Sequence, residues 1–121
     1  MADVLVVDDD ELAGRVAVLL LQEQGHRAVA RRTGRDALSF LAGSARPKLV
    51  LLDMLMPDMS GLELLRAIRD DEHLRDLPVV MYTAISDPEV REQPQALGAR
   101  DYLVKGQSWD EVYPEIEKHI Q

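Results

Sequence analysis

The chain has 121 residues, a formal charge of −8, 46% hydrophobic and 30% charged residues, and no cysteine. A domain of this size buries about two-thirds of the surface its unfolded form exposes, so one core suffices and a disordered tail is excluded. The negative balance opposes a direct nucleic-acid role, which needs Lys and Arg on phosphates, and the lack of Cys excludes disulfides and thiolate metal sites.

Val4 to Val7 is an apolar run of strand length that runs straight into Asp8, Asp9 and Asp10. A helical stretch follows in which Leu12, Val16, Leu19 and Leu20 share a face, and Gly25 stops it. A weaker strand is expected over Arg27 to Ala30, and Thr33 then caps a short helix through Leu41, which Gly43 ends. Leu49 to Leu52 is the next strand, closed by Asp53. Ser60 and Glu63 form a capping box ahead of the helical pattern from Leu62 to Arg69. Val79 to Tyr82 reads as the fourth strand, with Thr83 at its end, and Asp87 and Pro88 read as N-cap and first residue of the fourth helix. Tyr102 to Val104 is the fifth strand, followed by Lys105, and Ser108 with Glu111 predicts a second capping box before the last helix. Pro94 and Pro114 fall inside the fourth and fifth helices, where a proline costs about 3 kcal/mol or more, so kinks or late starts are expected there.

Short apolar runs without polar alternation mark strands covered on both faces. Five of them alternating with five helices imply an α/β fold with right-handed crossovers. Ligands of such folds sit outside the carboxyl ends of the strands, where Asp8, Asp9, Asp53, Thr83 and Lys105 all fall. The chain shows no basic leader before its first apolar stretch and no apolar run near the ~18 residues that span a bilayer. A cytoplasmic location without membrane contact is the expectation.

Two carboxylates leave the first strand together, and a third beside them raises an electrostatic problem. Like charges about 4 Å apart repel by roughly 4 kcal/mol at an effective dielectric of 20, so either a proton or a cation must bind. An all-oxygen set favours Mg²⁺ or Mn²⁺ over zinc. A plainer reading has the Asp8 to Asp10 string capping the first helix; Asp10 and Glu11 fit that role, and the second acid on a neighbouring strand separates Asp8 and Asp9 from it. Lys105 could be a solvated lysine and Thr83 a strand residue with good β propensity, were the three acids not placed at the same sheet edge.

The constellation resembles a response-regulator receiver domain of two-component signalling, from Val4 to about Ile120. Val-Val-Asp8-Asp9 is similar to the family's acidic pair, and Leu-Leu-Asp53-Met-Leu-Met-Pro57-Asp-Met-Ser-Gly61 to its phosphoacceptor strand and loop. Thr83-Ala84 and Tyr102-Leu-Val-Lys105 are similar to two further strand ends; Asp53 follows Asp9 by 44 residues, Thr83 follows Asp53 by 30 and Lys105 follows it by 52. The resemblance implies a single receiver domain over residues 1–121, a flavodoxin-like doubly wound sheet of five parallel strands in the order 2-1-3-4-5 with five helices. It implies Asp53 as phosphoacceptor, fed by a histidine kinase, a phosphotransfer protein or a small phosphodonor. Mg²⁺ would be held by Asp9, Asp53 and the Leu55 carbonyl, with Asp8 acting through water. Lys105 and Thr83 would take the remaining phosphoryl oxygens. Thr83 and Tyr102 would form the switch, altering the surface of the fourth helix, fifth strand and fifth helix for a downstream effector; a homodimer through that surface is compatible with it. Such a domain is a regulatory phosphoacceptor that catalyses only its own phosphorylation and dephosphorylation.

Several positions admit a second reading. Tyr102 could be a half-buried strand aromatic, and Trp109 either a partner contact or, the favoured reading, part of the core. Arg27, Arg31, Arg32 and Arg35 read as a solvated face. Where the family usually has a cis proline after the lysine, Gly106 stands; a cis bond before a non-proline costs about 2.5 to 4 kcal/mol, so a trans peptide and a looser loop are expected. Apolar Leu55 and Ile85, two residues beyond Asp53 and Thr83, predict slow self-dephosphorylation. A haloacid-dehalogenase-type phosphatase would need an acid at Leu55, and neither a G-x-G-x-x-G nor a Walker A run is present. The remaining rival is a receiver-like interaction module that works without phosphorylation.

Overall fold

Ten elements alternate along the chain: β1 (Val4–Val7), α1 (Glu11–Glu23), β2 (Ala28–Arg31), α2 (Gly34–Gly43), β3 (Leu49–Leu52), α3 (Gly61–Asp70), β4 (Val79–Thr83), α4 (Pro88–Ala96), β5 (Asp101–Val104) and α5 (Trp109–Glu117). This computed structural model describes residues 3–43 and 46–120. Residues 1–2, 44–45 and 121, which the expected single domain also takes in, lie outside the described residues. The strands form one parallel sheet in the order β2-β1-β3-β4-β5, the flavodoxin-like arrangement expected.

Alternation along each strand splits the core in two, because successive side chains point to opposite faces. Leu5, Val7, Val50, Leu52, Val79 and Met81 face Ala37 and Leu41 of α2 and Leu64, Leu65 and Ile68 of α3, with Val90 of α4 and Leu97 at its C-cap against them. Val4, Val6, Leu49, Leu51 and Val80 face Ala17 and Leu21 of α1 and Val112, Tyr113 and Ile116 of α5. With helices on both sides, β1 and β3 are buried at every residue, and unbroken apolar strands follow.

Most boundaries agree with the sequence pattern, and the departures have local causes. β2 begins at Ala28 because Arg27 is occupied by Asp3: its N–H donates to the Asp3 carboxylate at 3.0 Å, and its carbonyl accepts from the Asp3 N–H at 2.7 Å. β4 and β5 each gain one residue, Thr83 and Asp101. Ser60 and Glu63 do form the capping box, and Asp87 caps α4 ahead of Pro88. Ser108 sits at the N-cap of α5 without any side-chain cap bond; its backbone carbonyl takes the N–H groups of Glu111 and Val112 instead, so the second capping box is absent.

The apolar face expected for α1 is not the buried one. Leu12, Val16 and Leu19 are 70%, 44% and 59% exposed, whereas Gly14, Ala17 and Leu21 are buried. Small residues let the helix lie close to β2, where a Cβ on Gly14 would stand 3.5 Å from that of Ala30. Neither proline delays its helix: α4 and α5 each begin well before it and run through it. Both then stop within three residues, and the Pro94 carbonyl accepts from Leu97 and Ala99 to close α4.

Candidate functional site

Register builds the site before any side chain does. Val7 pairs with Arg31 on one side and Leu52 on the other, so Asp8 and Asp53 are each the first residue past adjacent strand ends. Their backbones remain in the ladder: the Asp8 N–H donates to Arg31 O at 3.0 Å and the Asp53 N–H to Val7 O at 3.0 Å. Lys105 leaves β5 in the same way, its N–H donating to Thr83 O at 2.8 Å.

Asp8, Asp9 and Asp53 each bring a carboxylate oxygen to within 4.8 Å of the others. Asp8 and Asp53 are buried and Asp9 is exposed. The Lys105 Nζ donates to Asp8 Oδ2 at 2.5 Å and to Asp53 Oδ2 at 3.1 Å, so one ammonium bridges the two buried acids. The second oxygen of Asp8 accepts from the Asp10 N–H at 3.0 Å, and that of Asp53 from the Leu55 N–H at 3.4 Å. Three hard oxygen donors with no sulfur or imidazole fit Mg²⁺ or Mn²⁺.

Electrostatics reflect this crowding. Burial pushes the Asp8 carboxyl above the ordinary aspartate range, with the Asp53 charge adding to it, despite the bonds from Lys105 and the Asp10 N–H. Burial works against the Lys105 charge, but its bonds to Asp8 and Asp53 outweigh that and hold the ammonium above the usual lysine value. A divalent cation would relieve the repulsion that a single ammonium leaves.

Thr83 and Tyr102 meet on the same residue, Ile85. Thr83 is buried at the end of β4, and its hydroxyl accepts from the Ile85 N–H at 3.4 Å. The Tyr102 hydroxyl donates to Ile85 O at 2.8 Å, and Arg91 lies over its ring at 5.1 Å. The ring, expected to move in from outside, is therefore already fastened to the β4–α4 loop. Trp109 is half-buried, tilted against Tyr113 at 5.7 Å, in keeping with the core reading, and its buried indole N–H has no partner among the described residues.

Two glycines shape the loops around the pocket. A Cβ on Gly61 would stand 2.2 Å from Asp53 O, so only glycine lets α3 start so close to the end of β3. Gly106 has φ +107 and every described peptide is trans. Despite the trans peptide, Lys105 reaches both acids. Gly106→Ala will cost about 1 kcal/mol through backbone strain alone, since nothing lies within 4 Å of a Cβ there. A urea midpoint that falls without a change in slope checks this, and Gly106→Asn will cost less.

Two structural contributors carry no sequence signal that singles them out. Asp58 accepts from the N–H groups of Gly34 and Arg35 at 3.0 and 2.9 Å, and Arg69 donates to four backbone carbonyls. Their partners are backbone groups, most of them more than twenty residues away.

Comparison with known proteins places this architecture. Residues 4–117 match the family described as the response regulator receiver domain, and the chain belongs to that family. It is 34% identical over 102 residues to the polar-differentiation response regulator DivK of Brucella anthropi, covering 84% of this chain and 82% of that one. The solved structure of the Vibrio cholerae chemotaxis protein CheY4 superposes with a TM-score of 0.90 at 29% identity, covering 98% of both chains. That of the response regulator TrrA from Thermotoga maritima, in complex with Mg²⁺-BeF, gives 0.84 at 31% identity, again covering 98% of both. The protein is thus a receiver-domain phosphoacceptor of two-component signalling with an acidic cation pocket, a regulatory domain and not a conventional enzyme. A histidine kinase partner follows from the family. No helix among the described residues is long and apolar enough to cross a membrane.

Proposed function

We propose that Asp53 is the phosphoacceptor and that Mg²⁺, or Mn²⁺, is held by Asp9, Asp53 and the Leu55 carbonyl, with Asp8 acting through water. The observation that carries this reading is the single Lys105 ammonium on both buried acids, with Asp9 completing the cluster. An Asp53 oxygen attacks phosphorus in line, an O–P bond forms, and the N–P bond of a phosphohistidine breaks as the imidazole leaves. Phosphoryl transfer asks for positioning and charge neutralisation on the equatorial oxygens. Lys105 supplies a cation to one of them and the Thr83 hydroxyl a hydrogen bond to another. Asp9, Asp53 and the Leu55 carbonyl would hold a divalent cation that, when bound, would offset the charge on the third.

The donor is a histidine kinase or phosphotransfer protein, and the α1 stripe of Leu12, Val16 and Leu19 is suited to receive it. These are three of the four large hydrophobic side chains that stand exposed among the described residues, and the fourth is Leu55, beside Asp53. Patches of this kind rimmed by charge mark partner surfaces. The output runs through Thr83 and Tyr102 to α4, β5 and α5. A hydroxyl drawn to the phosphoryl group releases the Ile85 N–H, in the same loop whose carbonyl holds Tyr102. A downstream effector, or a second copy, reads that face.

Labelling with a small acyl phosphate and Mg²⁺ tests the reading. The native chain will take up one phosphoryl group and Asp53→Asn none; uptake by neither would leave an interaction module that works without phosphate. Leu12→Glu will slow transfer from a protein donor while leaving small-donor labelling unchanged.

A further inference from the structure

The loop that carries the candidate Leu55 ligand is nearly free of polar anchors. Among the described residues, the only hydrogen bonds from residues 55–59 to another element are the two that Asp58 accepts at the N-terminus of α2, from Gly34 at 3.0 Å and Arg35 at 2.9 Å. Leu55 donates only within its own loop, to Asp53 at 3.4 Å. The loop otherwise closes on itself through Gly61 N–H to Met54 O at 2.8 Å.

The same helix end reaches the other side of the pocket. Thr33 caps the third N–H of α2, from Asp36, at 3.0 Å, and Arg32 next to it donates to the Asp9 backbone carbonyl at 3.4 Å. Met59 seats directly on Gly34, where an added Cβ would stand 2.4 Å from its Cγ and Sδ. The α2 N-terminus therefore touches both the Asp9 turn and the Leu55 loop, and Asp58 is the polar half of the second contact. The bonds from Arg35 and Gly34 hold the Asp58 carboxyl below the ordinary aspartate range, so it is charged there, the sign a helix N-terminus favours.

We propose that Asp58 is a positioning residue for the cation: by capping α2 from the phosphoacceptor loop it sets the distance between the Leu55 carbonyl and the Asp9 turn. This rests on the Mg²⁺ site proposed above. Removing the cap frees the loop to drift outward, and the cation loses a pre-arranged ligand without losing any carboxylate. Outer-shell partners of metal ligands contribute about 10- to 100-fold in affinity, and Asp58, one step further from the ion, belongs at the low end.

Calorimetric Mg²⁺ titration of the native chain, Asp58→Ala, Asp58→Asn, Thr33→Ala and Asp9→Asn tests this. Asp58→Ala will weaken Mg²⁺ about tenfold, and Asp58→Asn, which keeps one acceptor oxygen, less. Thr33→Ala removes a cap from the same helix without touching the loop and will leave the affinity unchanged. Labelling of Asp58→Ala by a small acyl phosphate will need more Mg²⁺ for half its maximal rate but reach the native rate at saturation. Should Asp58→Ala not fold, as judged by circular dichroism, Asp58→Asn carries the comparison. Native affinity in the Asp58 variants, or equal weakening by Thr33→Ala, overturns the proposal while the metal site stands. A native chain that binds no Mg²⁺, or Asp9→Asn binding as well as native, overturns the site itself and the proposal with it.

Discussion

Lys105→Ala will slow phosphoryl uptake from a small acyl phosphate by about two to three orders of magnitude, the usual cost of removing one donor aimed at developing charge. Its ammonium is the only protein cation on either buried carboxylate among the described hydrogen bonds, and it contacts both. The same substitution lowers stability. Breaking a fully buried pair costs about 3 to 5 kcal/mol, and because the Lys105 side chain keeps 24% of its surface exposed, the loss will fall below that range.

The pH dependence has a definite sign. Asp8 is held above its unfolded value of 3.8, so its contribution to stability is complete below that value and is lost as pH rises through the folded one. Lys105 is raised above 10.5, and its contribution stays complete until pH exceeds that value. Without Lys105, Asp8 loses the strongest influence holding its pKa down, and its titration moves further up. The variant will therefore be destabilised more at about pH 8 than at about pH 5. Mg²⁺ at a hundred times its Kd will return about 2.7 kcal/mol to either protein. Urea midpoints at the two pH values, with and without Mg²⁺, measure all three effects. A labelling rate within tenfold of native would mean that Lys105 does not touch the transition state.

Arg69→Ala will cost about 3 kcal/mol and lower Tm by about 10 °C, with phosphoryl uptake at a permissive temperature nearly intact. Its guanidinium donates to Leu97 O at 2.8 Å and Gly98 O at 3.1 Å at the end of α4, and to Arg75 O at 3.0 Å and Leu77 O at 2.8 Å ahead of β4. A cation at a helix C-terminus is favoured by the dipole as well as by the bonds. Burial pulls its pKa down, yet arginine stays charged at any working pH, so this loss will not vary with pH. Arg69→Lys will recover only part of it, because an ammonium cannot span carbonyls that a planar fork can. A thermal midpoint within about 2 °C of native would refute the clamp.

How much was legible in the sequence depended on what kind of group supplies the signal. The bounds of β1 and β3, the Ser60–Glu63 box and the Asp87–Pro88 start are written in residue types, and all appear where expected. The site residues were legible for the same reason, since apolar runs ending in acids, a threonine and a lysine put the chemistry at one sheet edge. The buried face of α1 was not, because Leu or Val occupies nearly every side of that helix and the face that packs is chosen by small Gly14 and Ala17. Asp58 and Arg69 were invisible because their partners are backbone groups, which every residue has. Ser108 carries the right side chain for a cap, but its own carbonyl satisfies the helix start.

The register of the sheet has one more consequence. Asp53 is held by a main-chain bond to Val7 between the inner strands β1 and β3, both buried throughout, and Asp8 by one to Arg31 of the edge strand β2. Local fraying of a loop or a terminal turn cannot separate these two acids; only rupture of the innermost strands can. The acid pair is thus arranged by the fold itself before any ion binds, and the Asp53 amide proton, bonded between β3 and β1, will exchange with solvent only at the rate of global opening.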